Sequence, residues 1–173
     1  MNADTSQGLA GAPGSMALLR RIRWAAATLI AGLVLSGLTA IPFETELKLT
    51  RQVLTATHAP DSLQAWIERV HDGVRETNER FPFIAYGTDW LAFGHFMIAL
   101  AMVGVWRDPV RNQWLWWFAV MACVLVIPAA AGFGALRGIP WGWRCVDCSF
   151  GIVGLIPAGL GLCWTRRLAG SAS

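Results

Sequence analysis

Charge is almost absent from four long stretches of the chain, about residues 24–41, 88–106, 110–131 and 146–164, while polar residues collect between and around them. Hydrocarbon about 30 Å thick, crossed at about 1.5 Å per residue, requires about 20 apolar residues. Each stretch meets that length, and a buried helix of a soluble protein seldom stays apolar all round for so long. The pattern predicts an all-α integral membrane protein with four transmembrane helices in an antiparallel bundle.

The segment between the first two stretches, residues 42–87, follows a different rule. Within 61–81 (DSLQAWIERVHDGVRETNERF), Leu63, Trp66, Ile67, Val70 and Val74 recur at helical spacing, with Phe81 beyond. Glu68, Arg69, Asp72, Arg75, Glu76 and Glu79 take the other face, and Arg75–Glu79 and Glu76–Arg80 stand four apart. This predicts an amphipathic helix. Pro60 precedes it, and Asp61 with Gln64 three residues on makes a variant of the capping box. Residues 44–57 predict a second, shorter helix, and His58 and His71 are expected in solvent.

The arginines orient the chain. Arg20, Arg21 and Arg23 precede the first stretch, Arg107 and Arg111 separate the second from the third, and Arg166 and Arg167 follow the fourth. Basic residues near span ends stay in the cytoplasm, so both termini are expected inside, and residues 42–87 and 132–144 outside. The long outer segment carries five basic residues but also seven acids, and long loops cross regardless of charge. Tryptophan prefers the two membrane interfaces. Trp24, Trp106, Trp114, Trp116, Trp117 and Trp164 fall near the inner boundary, and Trp66, Trp90, Trp141 and Trp143 near the outer one, which accounts for all ten.

Residues 1–19 are small, polar and Gly/Ala-rich and read as disordered. Residues 20–167 are expected to form a single membrane domain, with 168–173 a short tail. Met16 is an alternative start to Met1, because Leu18, Leu19 and the arginines follow it directly. A second reading of the first stretch is a signal peptide cleaved after Leu38-Thr39-Ala40, against which Leu38 is large for the small-residue rule.

Composition agrees: 55% of residues are hydrophobic and only 14% charged, where soluble domains carry about 25% charged. Lys48 is the only lysine, and Ala and Gly abound, which suggests a GC-rich bacterial genome and hence a bacterial inner membrane. The net charge is +3, and no basic stripe interleaved with aromatics points to nucleic acid.

Helices in lipid associate through small residues. Thr28, Gly32, Ser36 and Ala40 make such a ridge on the first span, and Gly151, Gly154, Ala158 and Gly161 on the fourth. A dimer motif or packing within the chain would each use them, packing being the commoner. Asp108 as cap and Pro109 as first helical residue are expected to start the third helix, while Pro157 is expected to kink the fourth.

Two constellations bear on chemistry. Cys145-Val146-Asp147-Cys148 opens the fourth span, and two thiols three apart can form a disulfide. Arg144 and a helix N-terminus favour a thiolate there, whereas Asp147 opposes it. In outline this resembles the DsbB-type and vitamin K epoxide reductase families of membrane thiol oxidoreductases. The resemblance implies a second outward cysteine pair that relays electrons to a quinone. The outer segment of this chain has no cysteine, and Cys123 and Cys163 lie within spans. The second constellation centres on His95, about 10 Å below the outer surface at about 1.5 Å per residue. Thr88, Ala92, His95, Ala99 and Met102 share a face, which directs His95 into the bundle, and intramembrane ionisable groups are functional suspects. Asp89, Asp147, Arg137, Arg144 and Tyr86 are expected near the same outer mouth, as a ligand or proton site. A lone histidine within the spans does not suit haem. No phosphate loop, H-E-x-x-H, nucleophile elbow or Cys/His metal spacing is present, so no metal or cofactor is expected.

These features support a non-catalytic accessory, partner-binding or ligand-binding membrane protein, in contact with membrane lipid and with a membrane-protein partner or a second copy. The alternative is a thiol-disulfide oxidoreductase using Cys145 and Cys148. A small transporter ranks third, for the spans hold few polar residues besides His95 to line a path. The topology is directly testable: reporter fusions after residues 60 and 138 should read outside, and fusions after 109 and 170 inside. Opposite polarity at any of them would overturn the four-span arrangement at that boundary.

Overall fold

The computed structural model describes residues 13–41 and 43–171. It is 90% helix, with no strand among the described residues. Among the described residues there are six α-helices: α1 (Pro13–Ala40), α2 (Phe43–Ala56), α3 (Asp61–Arg80), α4 (Tyr86–Arg107), α5 (Gln113–Leu136) and α6 (Trp141–Gly170), with a 3₁₀ turn at Pro82–Ala85. Four of them, α1, α4 with the preceding turn, α5 and α6, are long and apolar enough to cross a membrane. The amino-terminal helix already begins at Pro13, so residues 13–19 of the stretch expected to be disordered are helical; residues 1–12 lie outside the described residues. At the other end α6 runs on through Gly170, three residues into the expected tail.

By contacts the chain divides into two compact units, one of residues up to Ala31 and from Ala99 onward, the other Gly32–Ile98. The first unit is dominated by α5 and α6, which lie against each other along most of their length. Contacts fall along α5 as they rise along α6, the mark of antiparallel neighbours. A Cβ on Gly134 would meet the Arg144 side chain, one on Gly151 the Cys123 carbonyl oxygen, and one on Gly161 the Trp116 ring. Trp116 is fully buried, and Ala158, Leu162, Thr165 and Leu168 are buried on the same helix face. Ile22, Ala25 and Ala26 from α1, and Met102 and Val105 from α4, complete this unit's core. The small-residue face expected on α6 is therefore the one used.

The ridge expected on α1 is not. Thr28 and Gly32 are exposed, and Thr28 Oγ1 donates to the Trp24 carbonyl of its own helix at 3.0 Å. At about 3.6 residues per turn, a face running through Ile22, Ala25 and Ala26 leaves Thr28 and Gly32 to one side. In the second unit it is Gly37 that meets a neighbour, lying against the Phe96 ring.

Both sharp turns end in left-handed caps. After α2, His58 has φ 52°, and its N–H and that of Ala59 return to the carbonyls of Thr55 and Leu54. After α5, Gly138 has φ 69°, with Gly138 and Ile139 N–H bonded to Ala135 and Gly134 carbonyls. These are paired C-terminal bonds that satisfy orphan carbonyls. The expected start of α5 moves: Asp108 Oδ1 accepts the Arg111 N–H at 3.0 Å, but the helix begins at Gln113 with Asn112 as its cap residue. Asn112 Nδ2 reaches back to the Gly104 and Asp108 carbonyls, which also accept the backbone N–H groups of Asp108 and Asn112, so the amide gives each a second donor. The capping box on α3 is not formed either. Asp61 is already helical behind Pro60, no side chain caps the N-terminus, and Gln64 Nε2 donates to the Ala59 carbonyl at 2.8 Å.

Enlarging Gly161 tests the α5–α6 contact. Gly161→Leu should destabilise the protein in detergent by about 1–3 kcal/mol or more, the usual range for overpacking. Gly159→Leu, where a Cβ meets nothing within 4 Å, should leave it unchanged. Midpoints of denaturant titration compare the two, and equal midpoints would refute the close packing.

Candidate functional site

The first unit places Arg137, Arg144, Cys145, Asp147 and Cys148 around the α5–α6 turn. A Schellman-type cap at Gly138 turns the chain, and Pro140 precedes the first helical residue, Trp141. Cys145 therefore sits in the second turn of α6, not the first. Helix-dipole stabilisation of a thiolate fades within the first turn. Cβ atoms at i, i+3 in a helix stand about 5–6 Å apart, wider than the roughly 3.5–4.5 Å of a disulfide. Both thiols are free; Cys145 is exposed and Cys148 half-buried, with the Cys148 Sγ directed at the Ile127 carbonyl at 3.5 Å. Arg144 forms no ion pair with Asp147. Its guanidinium lies 5.1 Å from the Trp141 ring centre and its Nη1 donates to the Ala131 carbonyl at 3.5 Å.

Arg137 and Asp147 share a groove of about 350 Å³ with Val126, Ala129, Ala130, Phe133, Gly134 and Ile139. Asp147 is half-buried and forms no hydrogen bond or ion pair with any described residue. The groove therefore joins one cationic and one unpaired acidic side chain in an otherwise apolar wall.

In the second unit, α4 carries Tyr86, Asp89 and His95. Tyr86, Trp90 and Phe93 stack edge to face, with centroid separations of 5.9 and 5.5 Å, and all three are exposed. Asp89 is exposed as well. His95 is half-buried, and its Nδ1 lies 2.8 Å from the Leu91 carbonyl of its own helix. A carbonyl only accepts, so Nδ1 is the donor in that bond.

The same unit holds features that sequence reasoning missed. Outside the spans, α2 packs on α3, burying Leu47 and Ile67. His71, expected in solvent, is 7% exposed. It falls one turn after Ile67, on the face turned to α2, and its Nε2 is buried without a partner. His58 does sit in solvent. Beside this pair is a cavity of about 670 Å³, walled by Ile41, Glu44, Arg69, Gly73, Val74, Thr77, Asn78 and Thr88 among others. Glu44 accepts from Lys48 at 2.8 Å and from Asn78 at 3.4 Å. Those two hydrogen bonds, Lys48 first, hold its carboxyl below the usual range. Its contribution is therefore present above the ordinary carboxylate range and is lost as pH falls through the lowered value. Glu44 and Asn78 stand 34 residues apart, and no periodicity within either helix announces their meeting. Among the described residues no group of three or more His, Cys, Asp or Glu could hold a metal ion.

No protein-family model, no curated protein and no solved structure matches the chain.

The thiols can be tested chemically. In detergent, a small methanethiosulfonate reagent should label Cys145 several-fold faster than Cys148, without prior reduction. Replacing both with Ser should leave insertion and thermal stability unchanged. Labelling that requires a reductant would reveal a disulfide and overturn this assignment.

Proposed function

We infer that this is a non-catalytic multi-pass membrane protein that receives a partner segment or ligand on its outward helix pair. The observation that carries the reading is the cavity of about 670 Å³ beside α2 and α3, whose wall combines Glu44, Arg69, Thr77, Asn78 and Thr88 with Ile41, Val70 and Val74. A mixed polar and apolar wall of this size suits a peptide segment better than an ion. In this reading the four spans form an antiparallel bundle in a bacterial inner membrane, with both termini cytoplasmic and α2–α3 outside. The arginine-rich ends and the tryptophans support that orientation. The third helix acts as an amphipathic element, with Ile67 and His71 buried and Glu68, Arg69, Asp72, Arg75, Glu76 and Glu79 exposed. The thiol-oxidoreductase alternative draws less support, because Cys145 and Cys148 lie inside a regular helix. Transport draws least, because the polar side chains of the spans are scattered.

Gly73 gives a clean test, since it lines the cavity and a Cβ there meets nothing within 4 Å. Gly73→Leu fills the space while removing a helix glycine, a change that favours the helix by roughly 0.5–1 kcal/mol. Protein purified in mild detergent should retain a defined partner, identified by mass spectrometry, and the variant should lose it at undiminished thermal stability. Equal retention by both proteins would refute the cavity as the binding surface. A loss of function in Cys145→Ser/Cys148→Ser at normal protein level would instead favour the thiol chemistry.

A further inference from the structure

The arginines at the amino-terminal end of α1 do more than mark a boundary. Arg20 and Arg23 stand three apart on one helix face and line a groove of about 390 Å³ with Met16, Leu19, Trp24 and, from the last turn of α4, Trp106. Arg23 Nε donates to the Trp106 carbonyl at 3.4 Å. That bond ties the guanidinium to the groove and leaves its two terminal nitrogens without a hydrogen-bond partner among the described residues. Neither Arg20 nor Arg23 pairs with a carboxylate among the described residues. The acid nearest in sequence to Trp106, Asp108, instead accepts the Arg111 backbone N–H. The two indoles are exposed, Trp24 at 69% and Trp106 at 41%, as amphipathic rings at headgroup level are. Met16 and Leu19 add an apolar wall.

We propose that this groove is a binding site for an anionic phospholipid, with the phosphate held by Arg20 and Arg23 and the upper acyl chain lying against Met16, Leu19 and the tryptophans. The charge pattern selects the lipid. Two guanidiniums with no lining carboxylate match a net-negative headgroup such as phosphatidylglycerol, and offer nothing to the ammonium of a zwitterionic one. Guanidinium also suits phosphate better than ammonium does, through paired N–H donors in a planar fork. The site is independent of the outward cavity and lies in the other compact unit.

Native mass spectrometry of the whole protein, released from detergent in the presence of equimolar phosphatidylglycerol and phosphatidylcholine, tests the assignment. The protein should retain phosphatidylglycerol preferentially, and Arg20→Gln/Arg23→Gln should weaken its retention about 25-fold. That figure takes about 1 kcal/mol, or a factor of about five, for each basic side chain at a charged surface. Arg107→Gln/Arg111→Gln removes the same charge from outside the groove and should cost less than threefold. Arg20→Lys/Arg23→Lys keeps the charge without the fork and should fall between. Thermal unfolding midpoints in phosphatidylcholine, expected to be equal for all variants, separate lost binding from lost folding. Equal losses in the two glutamine pairs would show diffuse surface charge and overturn the site. So would the absence of any preference for phosphatidylglycerol, or displacement of the lipid by millimolar inorganic phosphate.

Discussion

An apolar side chain in hydrocarbon gains nothing by exchanging lipid for another helix, so contact between spans depends on how closely two backbones can approach. Here that approach is made by α6. Gly161 lies under the Trp116 ring, Gly151 against the backbone of Cys123, and the Arg144 stem against Gly134 of α5. Each contact places a large group over a residue without a side chain, which maximises dispersion contacts at places where no hydrophobic force operates. The placement of Arg144, and with it the geometry of the whole α5–α6 turn, follows from this spacing. Outside the spans the rule reverses. Leu47 and Ile67 hold α2 to α3 by ordinary burial from water, each worth about 1.5–3 kcal/mol, and polar pairs such as Glu44–Lys48 decorate the rim.

Much of this was legible from the residues alone, and the failures share a cause. Length and freedom from charge disclosed the four long apolar helices, because hydrocarbon thickness imposes a single number on all of them. The packing ridge of α6 was readable because Gly151, Ala158 and Gly161 fall on one face of a regular helix. The ridge of α1 obeys the same local pattern but is not used for packing within the chain, where Thr28 and Gly32 are exposed, because local sequence does not choose a helix's neighbour. His71 shows the same limit. Its helical phase put it beside Ile67, yet its charged neighbours suggested water. Only the partner helix α2 decides between them.

Caps were misjudged for a related reason. Asp108-Pro109 and Asp61 each carry the right chemistry for a helix start, but the chain needed those positions for turns or for the first helical residue. Asn112 holds the cap position instead, and its amide tightens the turn by donating to the Gly104 and Asp108 carbonyls. The candidate site residues divide accordingly. Arg137 and Asp147 line one groove, while Cys145 and Cys148 stand in the second turn of α6.

The helix α5 is mostly bare: Met121, Val124, Leu125 and Phe133 are all exposed, and only 6% of its most apolar window is buried within the chain. At such positions lipid asks for apolarity and for no particular shape, so one aliphatic side chain serves as well as another. Descent would therefore wear away the identities of these residues while leaving hydropathy intact. What selection can hold in register is sparse: the glycines of α6, the tryptophan seated on one of them, the left-handed turn at Gly138 and the arginines at the ends. Kinship in a protein of this kind is written in a few scattered letters, and two chains could share all of them while agreeing almost nowhere else.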